Sequence, residues 1–295
     1  MVNLDLAQLD ALSAAVAAGT FDAAARELHV TPSAISQRVK ALEIAVGQVL
    51  LTRTKPIQPT PAGQAVLRLA RQIATMTADV AREIGGEGEP GSPTVIPLAV
   101  NADSLATWVL PALATIGSPL VFDLYREDQD RTADLLRDGT VMAAVTASAD
   151  AVPGCTVQRL GRMRYRPVAT AGFAAQWFPA GVTPHALSRA PMVVFDRADR
   201  LQDRYLKRRA RRDLDPPRHY VPASADFLEA VRLGMGWSML PDLQVDKHAD
   251  GAGLVELDRH GALHVELYWQ QWRLRSASLD RVADAIRAAA AATLR

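Results

Sequence analysis

The polar side chains between Thr31 and Lys40 have the spacing that most clearly indicates a specific chemistry. Ser33, Ser36, Gln37 and Lys40 fall on one side of a helix at about 100° per residue, away from its apolar residues. Short hydroxyls, an amide and a cation are the groups that read base edges and bind phosphates in the major groove. The pattern predicts sequence-specific binding of double-stranded DNA, with an ordinary solvated helix face as the alternative.

The elements that must hold this face are predicted to be a helix-turn-helix and a wing. Helical apolar spacing precedes a turn at His29 and Val30, and Thr31 and Pro32 are typical first residues of a helix. A short hairpin near residues 50–57 would carry two cations at its tip, where they can reach the flanking backbone or the minor groove. The residues predicted to contact DNA are Thr31, Pro32, Ser33, Ser36, Gln37, Arg38, Lys40, Arg53 and Lys55.

A long amphipathic helix is predicted to begin after Thr60 and Pro61. Its apolar residues recur every three or four positions on one narrow stripe, which is typical of a coiled-coil-like seam. Two DNA-binding modules need such a seam to address two half-sites, so we expect a homodimer or homotetramer. A helix packed only on its own domain is the alternative. The stripe consists of Val66, Leu69, Ile73, Met76, Val80 and Ile84.

Composition limits the class of protein. The 295 residues can form two or three domains, 49% are hydrophobic, and no apolar run reaches membrane-spanning length. The N-terminus lacks the basic start of a secretory signal, and Cys155 is the only cysteine, so we expect a cytoplasmic protein without a disulfide. The net charge is +1, and residues 1–60 hold five basic and five acidic side chains. DNA binding must therefore depend on individually placed cations.

Motifs typical of enzymes are missing from the sequence. It has no GxSxG, HExxH, Walker or GxGxxG pattern, so we expect no catalytic residue and no cofactor. His260 and His264 are four residues apart, but Gly261 favours a turn and no third ligand is near, so we expect no metal site. A basic run from Arg204 to Arg212 is typical of a solvated helix face, with contact to DNA or an acidic partner as the alternative.

Beyond residue 93 the hydrophobic pattern alternates between strands and helices, which predicts parallel sheets with helical crossovers. The segment Gly85 to Pro93 (GGEGEPGSP) is predicted to be a flexible hinge before this region. Trp269 and Trp272 are expected in the core. The predicted strands cover 95–100, 120–125, 141–146, 164–169, 191–195, 219–221, 237–240 and 265–272, and the predicted helices cover 105–116, 132–137 and 279–294.

These segments together resemble a known family. AAARELHVT, SAISQRVKALE, the LL.R wing and the PTPAG start of the long helix are similar to LysR-type transcriptional regulators. AVNADSLATWVLPALA, LLRDGTVMAAVT and GVT..AL..APMV.FD resemble the ArgP/LysG branch of that family. The resemblance covers essentially the whole chain. One difference is Pro32, which stands where many relatives carry a polar residue at the start of the recognition helix.

The resemblance implies an α+β multidomain chain: a winged helix-turn-helix, a long linker helix and a two-lobed α/β effector domain of the periplasmic-binding-protein type. It implies a regulator that contacts RNA polymerase, responds to lysine or arginine and controls an amino-acid exporter gene. A replication-origin-binding inhibitor of chromosome initiation is the alternative. The expected boundaries are 1–60 for the DNA-binding domain, 61–85 for the linker helix, 86–93 for the hinge and 94–295 for the effector domain, with lobe I at about 94–163 and 271–295 and lobe II at about 164–270.

A basic amino acid carries one carboxylate and two cations, so its cleft needs hydroxyls or helix starts as well as carboxylates. Ligands of doubly wound sheets bind at the carboxyl ends of strands, where helices begin. Asp and Ser are also common helix caps, so each candidate has a purely structural alternative. The candidates are the hydroxyl residues Ser104, Thr107, Thr146 and Ser224 and the acidic residues Asp103, Glu127, Asp128, Asp196 and Asp226.

Overall fold

The computed structural model describes residues 4–52, 54–84, 94–126, 129–247 and 253–295. The predicted site residues Arg53, Glu127 and Asp128 lie outside these described residues, as does the predicted hinge at 86–93. In the ranges that are described, no helix is both long enough and apolar enough to cross a membrane.

Three helices and a short hairpin form the N-terminal unit. They are α1 (Leu6–Ala18), α2 (Phe21–Glu27), α3 (Pro32–Val46), β1 (Leu51–Thr52) and β2 (Gln58–Pro59), with the two strands antiparallel. The hydroxyls of Thr20 and Thr31 accept the backbone amides of Ala23 and Ala34, each at 3.2 Å, and so cap α2 and α3. The predicted helix-turn-helix with a wing is confirmed.

Helix α4 (Pro61–Glu83) connects this unit to the rest of the chain. Near its start, Leu67 and Ala70 are buried in the N-terminal core. Arg68, next to Leu67, donates through Nη1 to the carbonyl oxygen of Arg137 at 2.9 Å, so the same helix also contacts the following region. Four residues of the predicted apolar stripe are exposed within this single chain: Leu69, Met76, Val80 and Ile84.

The region after α4 is a two-lobed α/β structure. Its first part contains β3 (Thr94–Val100), α5 (Ala102–Ser104), a π-helical turn (Leu105–Val109), α6 (Leu110–Ala114), β4 (Leu120–Arg126), α7 (Gln129–Asp138) and β5 (Ala143–Thr146). Its second part contains β6 (Cys155–Thr170), α8 (Ala171–Trp177), α9 (Pro184–Arg189), β7 (Met192–Val194), α10 (Leu201–Ala210), β8 (Arg218–Tyr220) and α11 (Ser224–Arg232). The last elements are β9 (Ser238–Pro241), α12 (Asp242–Lys247), β10 (Leu254–Glu256), β11 (Leu263–Trp272) and α13 (Ala277–Thr293).

Two long antiparallel strands, β6 and β11, join the lobes. In the first lobe β3 pairs in parallel with β4 and β5, and β11 pairs antiparallel with β5. In the second lobe β7 and β8 are parallel, and β6 pairs antiparallel with β9 and β10. The sheets are therefore mixed rather than purely parallel, because the joining strands run in opposite directions. The predicted strand at 164–169 is only the second part of β6, which already begins at Cys155.

The tryptophans of the last strand lie in the core of this region. Trp269 and Trp272 are each 2% exposed, so their predicted place in the core is confirmed. Trp237 packs edge-on against Tyr205 with ring centroids 5.5 Å apart. The core thus extends from the first lobe into the second and supports the surfaces that face each other across the cleft.

Candidate functional site

The side chains predicted to contact DNA lie mainly on the outer face of α3. The exposed members are Ser33, Ser36, Gln37 and Lys40. Arg38 is half-buried at the edge of that face, and the opposite face is buried through Ile35. Thr31 and Pro32 form the exposed start of the helix, where the Thr31 hydroxyl already accepts the amide of Ala34. These groups have the exposure that contact with a DNA groove requires.

An open groove of about 410 Å³ separates α3 from the hairpin and brings predicted residues of both together. Ser36 and Lys40 line it from the helix, and Lys55 lines it from the hairpin. Glu43 fixes the relative position of these two elements, because its carboxylate accepts the backbone amide of Leu50 at 2.8 Å. The groove therefore has one cation on each of two walls that are held together by this hydrogen bond.

Asp103 of the first lobe and Tyr165 of β6 form a direct polar contact. The Tyr165 hydroxyl donates to Asp103 Oδ2 at 2.7 Å, although the two residues are 62 positions apart in the sequence. Burial raises the pKa of Asp103; the hydrogen bond from Tyr165 partly opposes this, and the negative charge of Asp199 adds to it. Tyr165 is 3% exposed, and burial holds its own pKa well above the usual value.

Asp199 is a second carboxylate in this cleft and is not among the residues predicted from the sequence. It accepts the backbone amides of Leu201 at 2.9 Å and Phe195 at 3.3 Å. Burial raises its pKa, while these hydrogen bonds oppose the shift. The predicted residue Asp196 instead accepts the amides of Ala198 at 2.7 Å and of Asp199 at 2.9 Å. Asp196 thus closes the turn that positions Asp199. The two aspartates at the ends of the segment DRAD, residues 196–199, are the feature of the sequence that could have indicated this turn.

Further polar groups around these carboxylates are deeply buried. Ser104, next to Asp103, is fully buried, and its hydroxyl has no hydrogen-bond partner among the described residues. Gln202 is 1% exposed; its amide nitrogen donates to Ser238 Oγ at 3.1 Å, while its oxygen has no partner in the described part of the chain. Thr107 uses its hydroxyl within its own helix, donating to the Asp103 carbonyl at 2.6 Å.

Three other predicted residues are spread more widely. Thr146 is buried at the end of β5, where its hydroxyl accepts the amide of Ser148 at 3.2 Å. Ser224 is half-buried as the first residue of α11. Asp226 is exposed on the same helix. None of the three is joined to Asp103 or Asp199 by a hydrogen bond between described residues.

The charges of the cleft indicate what it can bind. Asp103 comes from the first lobe and Asp199 from the second, and neither has a basic side chain within ion-pair distance among the residues that the structure describes. Burying carboxylates without a cation is unfavourable, which is why both pKa values are raised. A ligand with an ammonium or guanidinium group would supply the missing charge. The described residues contain no cluster of three metal-binding side chains.

The basic run near α10 has structural partners. Arg208 donates to the carbonyl oxygens of Gly261 at 2.6 Å and Ala262 at 3.0 Å. Arg209 forms an ion pair with Asp258 at 3.2 Å. These contacts attach α10 to the loop before β11, so this part of the run stabilises the second lobe. The remaining basic side chains of the run are exposed.

Comparison with known families matches two segments of the chain. Residues 6–64 match the bacterial regulatory helix-turn-helix proteins of the lysR family. Residues 98–291 match the LysR substrate binding domain. The first match contains α1 to α3 and the hairpin, and the second contains the cleft with Asp103 and Asp199.

Individual proteins resemble the chain over nearly its full length. The HTH-type transcriptional regulator LysG of Mycobacterium tuberculosis is 46% identical, covering 99% of this chain and 96% of that protein. The crystal structure of ArgP from Mycobacterium tuberculosis is 43% identical, with a TM-score of 0.89 and 99% coverage of both chains. Full-length LysG from Corynebacterium glutamicum with bound effector Arg is 34% identical, with a TM-score of 0.77, covering 99% of this chain and 100% of that one. LysG and ArgP relatives are both named as HTH-type transcriptional regulators, which favours transcriptional regulation over the origin-binding alternative.

Proposed function

Since the chain belongs to the LysR family of bacterial helix-turn-helix regulatory proteins, we propose that it is a transcriptional regulator whose binding to operator DNA responds to a basic amino acid. The observation that carries this proposal is the pair of half-buried carboxylates Asp103 and Asp199, one in each lobe, without a cation at ion-pair distance among the described residues. The arginine bound to the related LysG protein has a side chain of the required charge. We propose lysine or arginine as the effector and an amino-acid exporter gene as the target.

In this proposal the cation of the effector binds between Asp103 and Asp199 and favours the closed arrangement of the lobes. A ligand can shift such an equilibrium only by binding one state more tightly, and a cation between two carboxylates does so because it contacts both lobes at once. Helix α4 touches the first lobe and also packs on the DNA-binding unit. A change in the lobes can therefore reach the recognition helix α3.

The remaining partners follow from the same proposal. A homodimer, or a dimer of dimers, would pair through the exposed stripe of α4 and place two α3 helices on an interrupted palindrome. The protein would act on DNA in the cytoplasm, contact RNA polymerase there and catalyse no reaction. Ser36, Gln37, Lys40 and Lys55 would supply the DNA contacts around the groove.

Calorimetric titration of the full-length protein with L-lysine and L-arginine tests the effector. We expect binding of at least one of them and none of L-glutamine, which lacks the side-chain cation. Asp199→Asn should weaken binding about tenfold or more, as expected for loss of a charge-assisted contact. Asp215→Asn, an exposed carboxylate of the same lobe outside the candidate site, is the matched control and should leave the affinity unchanged. Absence of heat with both basic amino acids would contradict the proposal.

A further inference from the structure

Arg126, the last residue of β4, reaches from the first lobe to the second. Its Nη2 donates to the carbonyl oxygen of Pro222 at 3.4 Å. Its guanidinium also lies over the ring of Phe195, 5.7 Å from the centroid. Both partners follow strands of the second lobe, β7 and β8. Arg126 therefore links the two lobes.

Phe195 brings this cation close to the carboxylates of the cleft. Its ring carries Arg126, while its backbone amide donates to Asp199 Oδ2 at 3.3 Å. The ring is held in place by Phe227 of α11, with centroids 6.1 Å apart and planes at 62°. Phe195 thus contacts a guanidinium through its ring and a carboxylate through its backbone amide.

The guanidinium of Arg126 retains capacity for an anion. Five N–H donors extend from a guanidinium, and the contact with Pro222 engages one nitrogen. Among the described residues, no carboxylate lies within ion-pair distance of Arg126, unlike Arg164, which pairs with Asp242 at 2.8 Å. The adjacent helix α11 begins without a side-chain cap, at Ala223 beside Pro222. A ligand carboxylate would fit the planar donor pair of Arg126.

We propose that Arg126 binds the α-carboxylate of the effector, so that the cleft selects a free basic amino acid over the corresponding amine without a carboxylate. This inference rests on the proposed function, since it divides the same cleft into an acidic end and a basic end. Asp103 and Asp199 form the acidic end, and Arg126 forms the basic end beyond Phe195. The zwitterionic part and the side-chain cation of the ligand are then recognised by different groups.

A purely structural role of Arg126, as a tether between the lobes, makes a different prediction. Loss of a tether changes the binding of every ligand by a similar factor, because all of them need the same closed state. Loss of a carboxylate partner changes only ligands that have the carboxylate. Comparing each amino acid with its decarboxylated amine separates the two roles.

The experiment is calorimetric titration of the full-length protein with L-lysine and 1,5-diaminopentane, and with L-arginine and agmatine. The variants are Arg126→Gln, Arg126→Lys and the control Arg189→Gln, which replaces an exposed arginine at the end of α9. The unmodified protein and the control should bind the amino acid about 10- to 100-fold more tightly than its amine. Arg126→Gln should remove most of that ratio and leave the amine affinity unchanged or higher, because a cation near the carboxylates is lost.

Each result decides the matter. Equal loss of affinity for amino acid and amine in Arg126→Gln would identify a tether and overturn the inference, and so would an unchanged ratio. If Arg126→Gln melts too low to titrate, the ratio is read from Arg126→Lys, which keeps the charge but loses the planar donor pair and should give an intermediate value. If the unmodified protein binds neither amino acid, the proposed function fails as well, whereas binding with an unaltered ratio in the variants overturns only the role of Arg126.

Discussion

At the scale of residues, the cleft depends on pairs that meet only in the folded chain. Asp103 could be predicted as a binding residue because it follows a buried strand directly. Tyr165, its hydrogen-bond partner, could not, since it lies 62 positions away on β6. Asp196 and Asp199 look alike in the sequence. Only the folded structure distinguishes them. Asp196 closes a turn by accepting two backbone amides, whereas the charge of Asp199 acts on Asp103 and raises its pKa.

The raised pKa values of Asp103 and Asp199 predict a dependence of stability on pH. Burial raises the pKa of both carboxyls in the folded protein, so the folded state retains protons that the unfolded state has released. Their contribution to stability is complete below the usual carboxyl pKa of about 4 and is lost as the pH rises through the raised values. We expect the melting temperature of the effector-free protein to fall over that interval, relative to an Asp103→Asn, Asp199→Asn double variant.

Addition of L-lysine should reverse this trend. An ammonium group pairs with the ionised carboxylates, so the increase in melting temperature caused by lysine should grow as the pH rises through the same interval. Thermal melts at several pH values, with and without lysine, measure both effects. Two results would contradict this prediction: a lysine effect that stays constant with pH, or a double variant with the same pH profile as the unmodified protein. Either would show that ionisation of these two carboxyls is not linked to stability and lysine binding.

At the scale of elements, α4 is the part that contacts both functional regions. Ser276 and Ser278, at the start of α13, donate to the carboxylate of Asp79. Arg71 of α4 donates to the carbonyl of Gly139, which directly follows α7. Burial lowers the pKa of Arg71, with the charge of Asp138 opposing that shift. Helix α4 is thus fixed to two helix ends of the first lobe.

Replacing Asp79 tests whether these contacts transmit the effector signal. Asp79→Ala removes the acceptor for both serines, each a charge-assisted hydrogen bond of about 1.5–3 kcal/mol. We expect the affinity for the effector to stay within about twofold, while its influence on DNA binding largely disappears, because the lobe moves without α4. Calorimetry and a DNA-binding titration measure the two quantities. The control is Glu83→Ala, an exposed acidic residue of the same helix; equal coupling in both variants would exclude this role for Asp79.

Elements with a strong hydrophobic period were predictable, and those without one were not. The three N-terminal helices and the β3 and β4 strands follow clear apolar patterns and occur close to their predicted positions. The first part of β6 has a polar sequence, CTVQRLG, because one of its faces is exposed, and it was missed. Its place in the sheet depends on pairing with β11, which is more than a hundred residues away.

At the scale of the whole molecule, a net charge of +1 leaves little general attraction for DNA. Specific binding must then come from a few placed side chains on each copy and from the use of two copies together. The exposed stripe of α4 is the surface available for pairing. Its most exposed members are Met76 at 43%, Val80 at 53% and Ile84 at 76%.

Charged residues in this stripe should separate the copies. A Met76→Glu, Val80→Glu double variant places like charges in the seam, so we expect a monomer by light scattering and a loss of operator affinity of about 100-fold or more from lost bivalency. Ala74→Glu adds a charge on the same helix away from the stripe and should change neither property. A double variant that keeps the mass of the unmodified protein would place the interface elsewhere.

The most direct measurement is the affinity of the full-length protein for its operator DNA, titrated with and without L-lysine or L-arginine, in the unmodified protein and in Asp199→Asn. We expect at least one of these amino acids to change the operator affinity of the unmodified protein about fivefold or more, within the usual range of allosteric coupling. The Asp199→Asn variant should bind the operator normally but lose that response at the same ligand concentration. An operator affinity that neither amino acid alters, or a response that Asp199→Asn leaves unchanged, would contradict regulation through this cleft.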